Sequence, residues 1–295
     1  AYGKAISVYN PATGSYNNYT VNGAYDGFIN SKKTMRFSDT DWLDEISRTG
    51  FMRNYDLSLS GATDRFSGLF SVGYKKNDGI LKYTNFENFS ARFNATYKVN
   101  NIVSVGENAT MTYSKQCDSA PMENALKMAP IIPVYEEDGK TFAGPVGGMS
   151  DRQNPLRQMY QNRDNALKIW RLFGNAYVDV KPLKGLVLRS NFGLDFYHSF
   201  IHSMTNTFKS DIVNNDIANT TLGTTDDVRW TWSNTANYNF DIATDHHFTV
   251  LGGMELHKQT KEESSAYAQG FVIEDKDYMW PDAATGIRRS AGIGS

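Results

Sequence analysis

Five aromatic residues stand in long connections of the chain, outside any regular pattern: Tyr135, Phe142, Tyr160, Phe208 and Trp280. Flat aromatic rings pack on the C–H faces of sugars or on peptide side chains, and polar neighbours orient hydroxyl groups. They are candidate substrate-binding residues; the competing reading has them packing the loops or meeting a partner protein. Other polar clusters carry less. His198 and His202 are four apart, but at a strand end that spacing has no helical meaning, and His246-His247 sits at a turn. The run Asp211 to Asp216 (DIVNND) offers hard oxygen ligands without EF-hand spacing. The Gly-rich stretch at 144–148 lacks the Lys-Ser/Thr of a phosphate loop. Neither a metal nor a cofactor is expected, no catalytic set is visible, and an enzyme is the least supported class.

The elements that must position these residues alternate apolar and polar side chains with period two, the strand period. Phe66, Gly68, Phe70, Val72 and Tyr74 share one face, opposed by Ser67, Ser71 and Lys75. Phe89, Ala91, Phe93, Ala95 and Tyr97 oppose Asn88, Ser90, Arg92, Asn94 and Thr96. The same pattern is read over 51–60, 103–113, 169–181, 186–198, 230–242 and 246–256, and none is clear after Lys258. Near the start, 15–28 suggests one strand with a turn at Asn22-Gly23. Residues 39–46 suggest a short helix capped by Asp39 or Thr40, with Trp42 as its anchor.

These strands reach about ten residues, against about five or six in ordinary globular sheets. Their connections alternate between tight turns and longer loops at 77–85, 115–165 and 200–227. Long strands with one apolar and one polar face, tight turns on one side and long loops on the other, predict an antiparallel transmembrane β-barrel segment of eight or nine strands. The tight turns at 61–64 and 98–101 are then periplasmic and the loop at 77–85 extracellular. Glu107 breaks an apolar row, so a bulge, a lumenal orientation or a local partner is expected there. Arg65, Arg92, Arg171 and Arg189 fall on the polar faces, which a barrel turns to its lumen.

Composition sets bounds. The net charge of −2 without a basic run argues against nucleic acid as partner. Cys117 is alone, so the chain has no internal disulfide framework. No run approaches the ~20 apolar residues of a membrane helix. The mean hydropathy of −0.50 does not count against a barrel, in which alternate residues face water.

Thr40 to Ile46 (TDWLDEI), Asn54 to Gly61 (NYDLSLSG), Asp78 to Lys82 (DGILK) and Thr84 to Asn94 (TNFENFSARFN) resemble the SusC/RagA-type TonB-dependent outer-membrane transporters. The resemblance extends to APIIPVYEEDG at 129–139 and to 166–195 and is weak at both ends. It implies a 22-stranded barrel in the outer membrane of a Gram-negative bacterium, plugged by an N-terminal domain whose carboxylates Arg65, Arg92, Arg171 and Arg189 would hold, capped by a SusD-like lipoprotein, energised through TonB, and importing oligosaccharides or peptides. Residues 1–295 then form a partial TonB-dependent receptor β-barrel domain in contact with outer-membrane lipid, with no plug domain seen. The alternative is a secreted or surface β-sandwich with a structural or adhesive role, in which Trp230, Trp232, Phe240 and Phe93 form the core.

Overall fold

The computed structural model of the protein describes residues 5–10, 12–20, 27–210, 212–243 and 245–294. Strands β1 (Ala5–Asn10) and β2 (Ser15–Thr20) pair as a separate two-stranded sheet. The expected single strand at 15–28 is therefore the second arm of a hairpin, and the turn expected at Asn22-Gly23 lies outside the described residues.

Nine further strands form one antiparallel sheet in unbroken chain order. They are β3 (Phe51–Ala62), β4 (Phe66–Asp78), β5 (Asn85–Lys98), β6 (Val103–Cys117), β7 (Ala166–Leu183), β8 (Leu186–Thr205), β9 (Asn219–Ile242), β10 (His246–Gln269) and β11 (Arg288–Gly294). Every neighbouring pair is sequential, as in an up-and-down barrel wall. The connections 63–65, 99–102, 184–185 and 243–245 lie on one rim; 79–84, 118–165, 206–218 and 270–287 lie on the other. Gly185 makes the tightest turn possible: its φ of +85° is left-handed, and a Cβ there would collide with the Asn239 carbonyl oxygen.

Register carries the period-two pattern across the sheet. Leu59 pairs with Phe70, Phe70 with Phe93, and Phe93 with Ala109. Among the described residues no second sheet covers this face: Leu59 is 65% exposed, Phe93 46% and Trp232 41%. A sandwich buries such rings in its core, so the sandwich reading fails here. Apolar side chains at this exposure suit a hydrocarbon solvent instead. From β7 to β10 the upper edge of the apolar band also descends relative to the register rows. Lys168 ends it on β7, His198 on β8, Asp226 on β9 and Lys258 on β10, yet Lys168 pairs with Phe200 and Lys258 with Trp230. A band oblique to the register rows is what strands tilted in a barrel wall produce.

Further expectations are corrected. The connection read over 200–227 shrinks to 206–218, because β8 and β9 run further than their alternation shows; β10 likewise continues past Lys258 to Gln269. Above the apolar band both faces of a strand meet water, so period two loses its contrast while the backbone still pairs. Glu107 is neither bulged nor lumenal. It sits in regular register between Ala95 and Ala176 on the apolar face, and its Oε1 has no hydrogen-bond partner among the described residues. The Val105–Tyr97 pair lies next to it toward the short-turn rim, and the cost of a carboxylate on a lipid face falls toward the interface.

The buried apolar core lies outside the sheet. Residues 27–50 and 118–165 fold together on the long-loop rim around Met35, Trp42, Ile46, Met128, Ile132 and Met159. Helix α1 (Trp42–Ile46) is capped by neither Asp39 nor Thr40 but by Asp41, whose carboxylate accepts from the Leu43 and Asp44 amides. Trp42 is 3% exposed, and its indole donates to the Ala129 carbonyl at 3.2 Å. Thr40 reaches the Ile132 carbonyl at 2.8 Å, and the Thr40 amide reaches Pro130 O at 2.8 Å. Helices α2 (Met122–Lys127) and α3 (Pro155–Gln161) complete this cap.

Candidate functional site

Within the cap a tight turn brings two of the candidate aromatics together. The Asp138 carboxylate accepts from the Thr141 hydroxyl at 2.6 Å and from the Lys140 and Thr141 amides at 2.8 Å each. The Thr141 hydroxyl foremost, then the two amides, hold the Asp138 carboxyl below its ordinary range. The turn closes a bridge between Tyr135 and Phe142, whose ring centroids lie 5.0 Å apart. Helix α3 supplies the third ring. Asn154 caps it, accepting from the Arg157 amide at 3.0 Å, and Pro155 occupies its first turn. The Asn154 amide group also donates to the Val134 and Ala143 carbonyls at 3.0 and 2.9 Å, tying the helix to the Tyr135 hairpin. Tyr160 at the far end of α3 thereby lies 5.8 Å from Phe142.

A fourth ring joins them. Tyr83, from the connection 79–84, meets Tyr160 edge-on at 5.9 Å. Its φ of +64° is a left-handed conformation that a bulky side chain adopts rarely and at a cost. Tyr83 and Phe142 rest on the buried cap core, while Tyr135 and Tyr160 stand 40% and 42% exposed. Partial burial raises the Tyr135 phenol, with Tyr83, Glu45 and Tyr160 adding to it. The result is a supported aromatic corner with two open rings, a surface suited to binding rather than to group transfer.

The other two candidates lie elsewhere. Phe208 is covered by the Arg157 guanidinium, 3.3 Å from its ring centroid. Arg157 is 5% exposed, bonds to the Gln153 and Gln161 side-chain oxygens at 2.9 and 3.4 Å, and leaves Nε unpaired. Burial lowers it to about 10. Its contact with Phe208 joins α3 to the connection 206–218. Trp280 packs on His202 at 4.6 Å and Phe200 at 6.4 Å. Both are on the apolar side of β8, so Trp280 stands outside the wall rather than over its polar face. His198 and His202 are held singly, His198 by Asp226 at 2.7 Å and His202 by Thr220 and the Met279 carbonyl at 3.0 Å each.

The polar face carries a lattice of charges over β7 to β10. Arg171 grips Asp195 with two bonds of 2.9 and 2.8 Å, and Arg189 grips Asp179 at 2.6 and 2.7 Å. Asp227 receives Arg229 at 2.7 Å and Gln259 at 3.0 Å. Arg171, Asp195, Asp227 and Arg229, with Lys261 and Glu263, border a 480 Å³ hollow. Two of the arginines read as plug partners thus have carboxylates on adjacent strands. Arg65 falls in the connection 63–65, and Arg92 has no ion pair among the described residues.

No family model matches the chain. TonB-dependent receptor P26 of Formosa agariphila is 28% identical over 83% of this chain, and TonB-dependent receptor SusC of Bacteroides thetaiotaomicron is 32% identical over 52% of it. The chain spans about a quarter of the first and 15% of the second. The solved RagAB peptide transporter superposes with a TM-score of 0.71 over 87% of this chain and 30% of its own, at 20% identity. The same complex in its open-open state gives 0.72 over 89%. The chain is a SusC/RagA-type TonB-dependent barrel segment.

As such it is an outer-membrane protein, and its exposed apolar band is the lipid-facing surface. The long-loop rim of a SusC/RagA-type barrel is the extracellular one, so the cap and the aromatic corner face outward from the cell. Sequence reasoning missed Tyr83, since a lone aromatic in a short connection gives no sign of a left-handed backbone. It also missed α3, although Asn154-Pro155 is a cap-and-first-turn signal.

Proposed function

We propose that this chain forms part of the barrel wall of a TonB-dependent importer that passes oligosaccharides or peptides received from a SusD-like surface lipoprotein. One observation carries the reading: a nine-stranded sheet in chain order whose apolar face is bare and whose opposite face is polar and charged. The names of its relatives, receptors and peptide transporters, agree with transport. On this reading 1–295 is a partial barrel domain without a plug, and energy arrives through TonB by way of other parts of the protein. Tyr135, Phe142 and Tyr160, with Tyr83 beneath them, serve as cargo contacts at the extracellular mouth. Phe208 and Trp280 support loops.

The test uses the full-length transporter in a host lacking its own copy, with uptake of labelled oligosaccharides and labelled peptides measured side by side. Tyr135→Ala combined with Tyr160→Ala removes two ring contacts of about 1 kcal/mol each and is expected to lower uptake of one cargo class about thirtyfold at limiting cargo. Heat-resistant electrophoretic mobility reports that the barrel remains folded. Unchanged uptake of both classes removes the aromatic corner from the cargo route.

A further inference from the structure

Two rows of side chains cross the lipid-facing side just below the extracellular loops. Tyr55, Tyr74, Phe89, Tyr113 and Trp170 stand in direct register across β3 to β7. Their rings contact along the row, at 6.4 Å for Tyr55–Tyr74, 4.6 Å for Tyr74–Phe89 and 4.5 Å for Tyr113–Trp170. Such a girdle sits at the level of lipid headgroups. One pair further out, Arg53, Lys76, Glu87, Lys115 and Lys168 form a second row, again in register.

The charges of this row are not balanced from within. Arg53 is held by Asp78 at 3.2 Å, and Glu87 accepts the Tyr74 hydroxyl at 2.7 Å. Lys76, Lys115 and Lys168 have no carboxylate within 4.0 Å among the described residues. Lys115 and Lys168 stand directly opposite each other on adjacent strands, where like charges repel unless an anion lies between them. Below them is hydrocarbon, and the row's own carboxylate, Glu87, accepts from Tyr74, so a further anion at this height comes from a lipid headgroup. Beside Lys168, whose amino group lies 5.9 Å from the Phe200 ring, Trp280 stacks on Phe200 and is 39% exposed. An aromatic platform next to a cation suits a sugar ring bearing phosphate.

We propose that Lys76, Lys115 and Lys168 bind the phosphate of an outer-leaflet glycolipid, whose acyl chains lie along the apolar band beneath. The lysines act as point charges on headgroup phosphate. The inference rests on the lipid-facing reading of this side of the sheet, given above.

The experiment is native mass spectrometry of the full-length transporter in detergent, titrated with monophosphorylated lipid A, its dephosphorylated form, phosphatidylethanolamine, or inorganic phosphate. The expected result is retention of the phosphorylated glycolipid at least tenfold above the other three. The triple variant Lys76→Gln, Lys115→Gln, Lys168→Gln is expected to lose that preference by fivefold or more, whereas Lys75→Gln, on the opposite face of β4, keeps it. Equal retention of the dephosphorylated form, equal binding of inorganic phosphate, an unaltered triple variant or an equal loss in Lys75→Gln overturns the proposal. A transporter soluble without detergent and free of all lipid overturns the membrane reading itself, which separates the two failures.

Discussion

The wall and the cap are built from the same apolar residue types, and they use them in opposite ways. In the wall, Leu57, Leu59 and Phe70 are 62%, 65% and 45% exposed. In the cap, Ile132 and Met159 are 0% exposed and Trp42 3%. Wall side chains gain their burial from lipid, so each needs only the right face of a strand. Cap side chains must find one another across 27–50 and 118–165, so their burial depends on loops meeting at one place. A wall residue therefore answers to the membrane and a cap residue to its neighbours.

The sharpest way to break the contrast is a charge on the wall. Phe93→Lys, in the middle of the band, is expected to cost about 2–4 kcal/mol through its place at the lipid midplane. It should block insertion, read as loss of the heat-resistant electrophoretic form. Ile132→Ala in the cap is expected to cost about 2–4 kcal/mol, as removal of a fully buried aliphatic side chain does. Its effect should be confined to 27–50 and 118–165, seen as faster proteolysis of the loops while the barrel stays inserted. If Ile132→Ala also abolishes insertion, the two regions are one folding unit and the comparison fails.

A smaller effect probes packing on the polar side of the wall. Tyr177 lies over Gly106, where an added Cβ would collide with the ring, and its hydroxyl is 3.1 Å from the Thr96 hydroxyl. Gly106→Ala is expected to swing the ring away and cost about 1–3 kcal/mol by overpacking, measured as a lower unfolding temperature. The smallest concerns pH at the aromatic corner. The Asp138 carboxyl is held below its ordinary range, so it adds stability above that range, and this contribution is lost as pH falls through the lowered value. Protection of the Lys140 and Thr141 amides against hydrogen exchange, taken relative to their intrinsic rates, should fall on acidification, and Asp138→Asn should flatten that dependence.

Legibility followed the solvent. Strands β3 to β6 were readable nearly end to end because one face meets lipid and the other water, which stamps period two onto the residues. In β9 the stretch Asn219 to Asp227 carries no such contrast and reads as loop, since it rises above the lipid and both faces are wet. Of the candidate aromatics, Tyr135, Phe142 and Tyr160 come together, whereas Phe208 and Trp280 stand apart. Nothing in their types or spacing separates these two groups. Tyr83 came from the backbone, and Arg157 over Phe208 from a contact between two loops.

What the residues by themselves determined is the wall: alternating faces, sidedness from turn length, and membership of a transporter family through short motifs at 40–94. These are local properties, set by neighbours two residues apart and by a solvent that differs on the two faces. Tertiary structure alone decided the cap core, the aromatic corner, the oblique edge of the apolar band, and the lysine row facing it. Each of those depends on residues far apart in the chain, brought side by side by register and loop packing, which no periodicity records.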